Sequence, residues 1–582
     1  LTALAVVSPT AVQGQCADSD GDGYCFEVGC SFPAACDCND LDSRVFSGAA
    51  EACDGFDNDC NGQVDDPVEG CSGILTHVRK VGGDLPVVDH EGASKRPSLA
   101  WSRGGHLIVY ADDRQNVAPF ASTLFAAHLD PVGGLERDEP LFASPPSDQS
   151  RPQVAWTGRG YGVVWTDARD GVGTIYFARL DRNGEVIEEL PLSDSLTAAN
   201  RPRIAWSGKN FGVAWVQTDF GTGERQTRFR AVGEDGELGS IREPGIDHDE
   251  GVEDVRLEWN GTHFGLAVAY PHDPAALAAF YLVLLDEAGI QQGAARLVQD
   301  GVTDNDTDVP LGLTWSGGEW GVWWEGECGF FGCEVMLARL YPDGSFVDPV
   351  GRFVNVTQRN PNSTNLNNVA WNGQEYGLIF RDTAGSSELH FSRVSVTGEM
   401  QGQALRVSSN GSGGLDSEDL AWTGRWWSVV WTDQLGGSVD LYFTRLGNDQ
   451  DADERVAGDD CDDTDGTVWG PGPARRLEAG ADKQTITWLE PEDAGNNNGW
   501  SVHYDVLRSD SPGDFSDGNP QAICIETESP DTVAVDGEVP SVGSGFHYLV
   551  RTFLLVPPEG KRCGDALGRE SDGVPRAGRA CM

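Results

Sequence analysis

One unit is written seven times into this chain. Its clearest copy, residues 151–194, reads RPQVAWTGRGYGVVWTDARDGVGTIYFARLDRNGEVIEELPLSD. Four short apolar runs alternate there with turn-forming residues. A tryptophan closing the first run recurs at Trp101, Trp156, Trp206, Trp259, Trp315, Trp371 and Trp422, 50 to 56 residues apart. A period of that size with four strands per unit marks a propeller blade, whereas a β-helix repeats over a shorter period. The central runs are apolar on both faces, as in Val163, Val164 and Trp165. Such a strand needs a packed layer on each side of its sheet.

Within the unit, strands are expected at 152–156, 161–166, 174–181 and 185–192, with an Asn-Gly turn at Asn183–Gly184. With 74 Gly and 18 Trp against 3 Met, the composition agrees with strands and turns rather than helices. Copies such as RPRIAWSGKNFGVAW and DLAWTGRWWSVVW resemble the x-A-W-x-G-x-x-[YF]-x-V-x-W type of bacterial propeller repeat. Seven copies predict seven blades over residues 74–448. The last unit has a third strand, 440–446, but runs into acidic sequence where a fourth is due. Residues 76–89 resemble the third and fourth strands of a unit with no first or second before them, so a strand near 85–89 is expected to complete the last blade and remove the free edges.

The residues flanking this array are acidic. Residues 16–71 hold 14 acids and one base, Arg44. Asp18, Asp20 and Asp22, followed by Gly23 and Tyr24, form a D-x-D-x-D-G-x run; Asp57, Asp59 and Asn61, then Gly62 and Gln63, repeat it. Oxygen donors on alternate residues converge on one hard cation, the glycine permits the sharp turn, and the carbonyls of Tyr24 and Gln63 take the seventh place. The second run continues to Asp65 and Asp66; the twelfth place holds Gly29 or Val68 instead of the bidentate Glu, so a further carboxylate must come from elsewhere, such as Asp40, Asp42, Glu51 or Asp66. This stretch has too little apolar material for a core, and bound Ca²⁺ with disulfides would supply the missing stability. The 14 cysteines cluster toward the chain ends, as in Cys16, Cys25, Cys30, Cys36 and Cys38, which fits an oxidising compartment. Zinc is the rival reading, weakened by the absence of His there. Cys328 and Cys333 are expected to form a local disulfide.

Asp18–Tyr24, then Asp37, Asn39, Asp40 and Asp42, then Glu51–Gly62 resemble the MopE-like metal-binding repeat of secreted bacterial proteins. The resemblance implies a metal, and copper is associated with one member; the oxygen donors point to Ca²⁺ instead. Asp460, Asp462, Asp463 and Asp465 follow the pattern of residues 37–42, and Asp449, Asp451 and Asp453 restart the alternation within a second acidic segment, 449–472. Because propeller ends meet, these two pieces are candidates for one shared ion cluster.

Residues 473–582 alternate strand-like runs (484–489, 502–508, 545–552) with polar loops. Trp488, the YDVLR run and Tyr548 resemble a fibronectin type III domain, which implies a β-sandwich. Residues 1–15 read as the remnant of a signal peptide. A net charge of −51 excludes nucleic acid and anionic membrane as partners, and no run is long and apolar enough for membrane insertion. The recurring Asp112/Arg114, Asp167/Arg169 and Asp433 read as turn caps, and residues 247–250 as a solvated acidic loop. No G-x-S-x-G or H-E-x-x-H motif occurs.

The expected fold is all-β: a seven-bladed propeller flanked by Cys-rich Ca²⁺-binding loops, plus a C-terminal β-sandwich. The expected function is binding, as adhesion, matrix assembly or capture of an extracellular glycan or protein, with Ca²⁺ as structural cofactor, in a bacterial protein that is secreted or held at the cell surface. The alternatives are a glycan hydrolase working through two carboxylates on the propeller face and a self-assembling filament subunit.

Overall fold

A computed structural model describes residues 78–88, most of 92–448 apart from short loops, and strand segments between 475 and 566. Every regular element among them is a strand, and no helix is long and apolar enough to cross a membrane. Strand β1 (Val78–Val88) comes first. The first blade holds β2 (Ser94–Ser102), β3 (Gly105–Asp112), β4 (Thr123–Leu129) and β5 (Leu135–Pro140); the second β6 (Gln149–Trp156), β7 (Tyr161–Asp167), β8 (Thr174–Leu180) and β9 (Val186–Pro191). The third holds β10 (Ala198–Trp206), β11 (Asn210–Thr218) and β12 (Arg225–Gly233). The fourth holds β13 (Asp254–Trp259), β14 (Phe264–His272), β15 (Leu277–Leu285) and β16 (Arg296–Thr303). The fifth holds β17 (Leu311–Trp315), β18 (Trp320–Gly329), β19 (Gly332–Leu340) and β20 (Val354–Asn355); the sixth β21 (Thr364–Trp371), β22 (Glu375–Asp382), β23 (Glu388–Ser395) and β24 (Met400–Arg406). The seventh holds β25 (Glu418–Trp422), β26 (Trp426–Asp433) and β27 (Asp440–Asn448).

Each blade is an antiparallel meander, and its first strand touches the first strand of the next: β2, β6, β10, β13, β17, β21, β25 and back to β2. That closed succession makes the sheets a ring with first strands innermost. Exposure follows radius. Second strands such as β3, β7 and β26 are buried throughout, while fourth strands such as β5 and β9 are largely open. The outermost strand buries least and is the one the units vary. In the third blade, Leu238 and Arg242 make isolated bridges instead of a fourth strand, and β20 has two residues.

The seventh blade is completed from the other end of the chain. β1 pairs antiparallel with β27, from Val78 opposite Asn448 to Val88 opposite Leu441. The expected third-and-fourth-strand pair at 76–89 is one strand instead. β27 already occupies the third position, and the pairing crosses Gly82–Gly83 as an irregularity between Val81 and Leu85 rather than as a turn.

Seven apolar cores hold the ring, one between each pair of neighbouring blades. Between the first two, Leu107, Val109 and Ala111 meet Tyr161, Val163 and Trp165. At the closure, Val87 and Val88 of β1 join Leu441 and Phe443 against Ile108, Tyr110 and Phe125. The tryptophans that mark the repeat are only half-buried, and the fully buried ones lie on second strands, among them Trp165, Trp215, Trp324 and Trp431. Each such ring removes roughly 200 Å² from water, on the order of 3–5 kcal/mol. Each marker tryptophan instead packs at a tilt against the residue opposite it across the first hairpin, as Trp156 does against Tyr161 and Trp259 against Phe264, with centroids 4.5 and 4.6 Å apart.

The glycine after that hairpin aromatic has a steric cause. A Cβ on Gly162 would sit 2.5 Å from the Phe211 ring of the next blade, and one on Gly212 would sit 2.6 Å from the Phe264 ring. Gly265 stands in the same relation to Trp320, and Gly377 to Trp427. The aromatic-Gly pair is therefore a knob and a socket passed from blade to blade.

After the ring come β28 (Arg475–Ala479), β29 (Thr485–Leu489), β30 (Val502–Ser509), β31 (Ile523–Ser529), β32 (Val533–Val535), β33 (His547–Val556) and β34 (Lys561–Ala566). They form two sheets, ordered β28-β29-β32 and β31-β30-β33-β34. Ile486 and Ala534 of the first pack with Tyr504 and Val506 of the second.

Candidate functional site

The cation ligands expected from the sequence, residues 18–66 and 449–465, lie outside the described residues, as does the acidic loop at 247–250. The structure does place the points from which those segments leave the ring. Val78, where the preceding segment enters, is directly opposite Asn448, where the following one begins. Among the described residues, no group of three or more His, Cys, Asp or Glu is arranged to hold a metal. Cys333 is disulfide-bonded, beside the Gly329–Gly332 pair that closes the β18–β19 hairpin.

The seam is pinned from inside as well. Ala93 bridges to Val439, and the amide of Ser94 donates to the Val439 carbonyl at 2.9 Å. His106 of the first blade lies 2.7 Å, Nε2 to Oγ, from Ser428 of the seventh, and its Nδ1 lies 3.3 Å from the Asp130 carbonyl. With Nδ1 carrying the proton, the ring accepts from Ser428 and donates to Asp130. Burial, only partly offset by that carbonyl, pushes His106 down to about 3, so the ring is neutral.

Of the recurring aspartates, Asp112 and Asp167 are turn caps, as expected. Asp167 accepts from the Arg169 amide at 2.8 Å, the Arg169 guanidinium at 2.6 Å, Trp165 Nε1 at 3.1 Å and Gln149 Nε2 at 3.0 Å. Burial acts to raise its pKa, and these donors outweigh it and lower it. Asp112 repeats the motif with the Arg114 amide at 2.8 Å and Ser94 Oγ at 2.8 Å.

On the first strands, polar side chains alternate with buried apolar ones such as Leu99, Leu257 and Leu420. In four units the residue three before the marker tryptophan, Ser98, Arg203, Asn368 or Asp419, reaches the next first strand. Asp419 accepts from the Leu99 amide at 2.7 Å, and Ser98 accepts from the Val154 amide at 3.2 Å. Asn368 donates to Asp419. Burial pushes Asp419 up to about 6 against these hydrogen bonds.

Charge concentrates between the third and fourth blades. Asp254 lies 3.3 Å from the Arg203 guanidinium and 3.9 Å from Arg201, and also pairs with Arg256. The neighbouring Glu253 pairs with Arg225 and lies 3.5 Å from Arg201. Burial raises the Asp254 pKa, and the three guanidiniums outweigh it and hold it low. Arg203 is pushed down to about 9 by burial and then by Arg256, and stays charged at neutral pH. Two residues along β13, and so on the same face as Arg256, Glu258 is surrounded by protein yet keeps partial solvent contact, and burial alone pushes it up to about 7.

Sequence reasoning missed this rim. A signal existed in the aligned units. The position before the marker tryptophan holds Ala100, Ala155, Ala205, Glu258, Thr314, Ala370 and Ala421, so Glu258 is the one acid. The position three before holds Ser98, Gln153, Arg203, Arg256, Gly312, Asn368 and Asp419, polar in six of seven units on an otherwise apolar strand.

Residues 37–66 and 460–473 match the MopE copper-binding family, described as a "Putative metal-binding motif". The match supports a metal. It includes Asp37, Asp57, Asp59, Asn61, Asp460 and Asp465 and leaves Asp18–Tyr24 and residues 449–453 outside. The donors it spans are carboxylates, amides and carbonyls, without His, which suit a hard cation better than copper. No curated protein matches the chain. Similar solved structures include the polysaccharide lyase Uly1, at 9% identity over 67% of this chain and 95% of that one, with a TM-score of 0.42. An acylaminoacyl peptidase from Pyrococcus horikoshii is similar at 11% identity over 68% and 57%, TM-score 0.38. A GH43 endo-arabinanase from Bacillus licheniformis is similar at 10% identity over 44% and 98%, TM-score 0.27. This chain thus spans 57% of the peptidase. At such identities and TM-scores, none of these likenesses bears on activity.

Proposed function

We propose that this chain is a secreted or cell-surface bacterial binding protein in which Ca²⁺ clasps the closure of the ring. The observation that carries this reading is the pairing of Val78 with Asn448, which starts the two motif-bearing segments from one point on the ring. Asp57, Asp59, Asn61 and the Gln63 carbonyl on one side, with Asp460, Asp462, Asp463 and Asp465 on the other, supply the hard oxygen donors that Ca²⁺ takes. Cation binding there restrains the strand whose loss would open the seventh blade, and it neutralises local charge in a chain of net −51. The propeller then offers a rigid face for an extracellular glycan or protein. The two C-terminal sheets, read as a fibronectin type III-like sandwich, serve as a spacer or second binding module. A glycan hydrolase or a filament subunit gains no observation of its own.

The test is a thermal melt of the full chain with excess Ca²⁺ and with chelator. The expected result is a higher melting temperature with Ca²⁺, rising with its concentration as mass action requires. Superimposable melts would remove the cation from the reading.

A further inference from the structure

Glu258 stands where five sister units carry alanine, Ala100, Ala155, Ala205, Ala370 and Ala421, and the fifth unit carries Thr314. It lies opposite Gly265 on β14, and the open face of Gly265 is covered by the Trp320 ring of the fifth blade. Opposite residues of an antiparallel pair share a face, so the carboxyl is turned into the wedge between the fourth and fifth blades. That wedge is an apolar core in which Ala267, Leu313, Trp315 and Trp320 meet. Among the described residues, no hydrogen bond or ion pair reaches Glu258. The indole N–H groups of Trp315 and Trp320 are likewise buried there without an acceptor.

The elements around it supply no compensating charge. β17 and β11 have no ionisable residue. β14 has only Tyr270 and His272, five and seven residues beyond Gly265. On β18, Glu325 accepts from the Leu366 amide of the sixth blade, and Glu327 and Cys328 follow at the far end of the strand. Glu319, just before β18, pairs with Arg339. On β13 itself, Arg256 is drawn back to Asp254, which also holds Arg203 of β10. Burial therefore acts alone on Glu258 and raises it to about 7. Its partial solvent contact lets the proton exchange without opening the core.

We propose that the wedge between the fourth and fifth blades is a pH-operated joint, closed while Glu258 carries a proton and loosened when the carboxyl ionises. A neutral carboxyl is tolerated beside Trp315 and Trp320. A carboxylate in the same place has neither a counter-charge nor a hydrogen bond, and it draws water to the inner edge of the wedge. The unfolded chain releases this proton near 4.5 and the folded chain near 7, so the folded state binds more protons between those values. The stability this group contributes is complete below 4.5 and is lost as pH rises through 7. His106, buried and neutral at the ring closure, titrates in the opposite sense. Two single side chains in different wedges thus bound the pH range of the closed ring. The joint uses no part of the cation reading.

The experiment is urea unfolding of the full chain with excess Ca²⁺, followed by tryptophan fluorescence at pH 5.5 and pH 8.5, for the natural chain, Glu258→Gln and Glu258→Ala. Gln keeps the shape of the neutral acid, and Ala is the residue of five sister units, so both variants should fold. From the lower to the higher pH, the unfolding equilibrium constant of the natural chain should rise roughly tenfold or more relative to either variant. The fluorescence of the native chain should shift with a midpoint near 7, and both variants should lose that shift. Asp419 and the other carboxylates titrate in all three chains and cancel in the difference. An equal pH response in the natural chain and Glu258→Gln, or a natural chain that gains stability over this range relative to Glu258→Ala, would overturn the joint.

Discussion

The ring closure contains a group whose titration should be visible in stability. His106 is 2% exposed, lies between Trp101 and Phe443 at 4.7 and 4.9 Å, and contacts Ser428 across the seam. In the unfolded chain it takes up a proton near 6.5, and in the folded chain only near 3. Between those values the unfolded state binds more protons, so stability falls as pH is lowered from 6.5 toward 3. Each unit of that window is worth about 1.4 kcal/mol, so going from pH 7 to pH 4.5 removes on the order of 2–3 kcal/mol through this one side chain.

Carboxylates elsewhere also titrate in that range, so the measurement is a double difference. Urea unfolding followed by tryptophan fluorescence is run at both pH values for the natural chain and for His106→Leu. The variant loses both hydrogen bonds and should be less stable at pH 7 by about 1–3 kcal/mol. On acidification, however, it should lose on the order of 2–3 kcal/mol less than the natural chain. Parallel losses would show that His106 is not held neutral by the closed seam.

Two other features of the ring can be tested simply. Deleting residues 74–92 removes β1, the fourth strand of the seventh blade, and should sharply lower the melting temperature of the propeller in calorimetry; an unchanged melt would show that the pairing with β27 does not hold the ring. Gly212→Ala forces a Cβ to 2.6 Å from the Phe264 ring and should cost about 1–3 kcal/mol in urea unfolding, whereas Gly223→Ala, with nothing within 4 Å, should cost less through its positive φ alone.

The scaffold was legible because it repeats. In the second unit the expected runs at 152–156, 161–166, 174–181 and 185–192 correspond to β6 through β9 within a few residues, since turn residues and two-sided apolar strands mark both ends of each run. Closure was legible from a missing fourth strand at one end and a surplus strand at the other. The single-strand form of 78–88 was not, because Gly82–Gly83 reads as a turn in isolation and only β27 alongside keeps it extended. The inner rim was overlooked because its charges stand where the repeat is read as framework. Arg203 and Asp254 lie 51 residues apart and meet only when the third and fourth blades stack.

The asymmetry of that rim bears on how such a ring comes to recognise anything. Seven equivalent blades would present seven weak, interchangeable contacts around the axis. Here the strained Arg-Pro pair appears in the first three units, the Glu253–Asp254 pair in the fourth, Asn368 in the sixth and Asp419 in the seventh. The cores between blades are built mainly from second and third strands, with first-strand residues such as Leu257, Leu366 and Leu420 completing them. First strands are anchored by their hairpin tryptophans and are therefore free to differ at the positions one and three before them. A scaffold of this kind separates stability from specificity by radius. The middle of each blade holds the ring, the outer strand shields it, and the inner edge carries the differences. Changes at Trp165 or Phe211 should accordingly lower the melting temperature more than changes at Leu135 or Ile187 on the exposed outer strands.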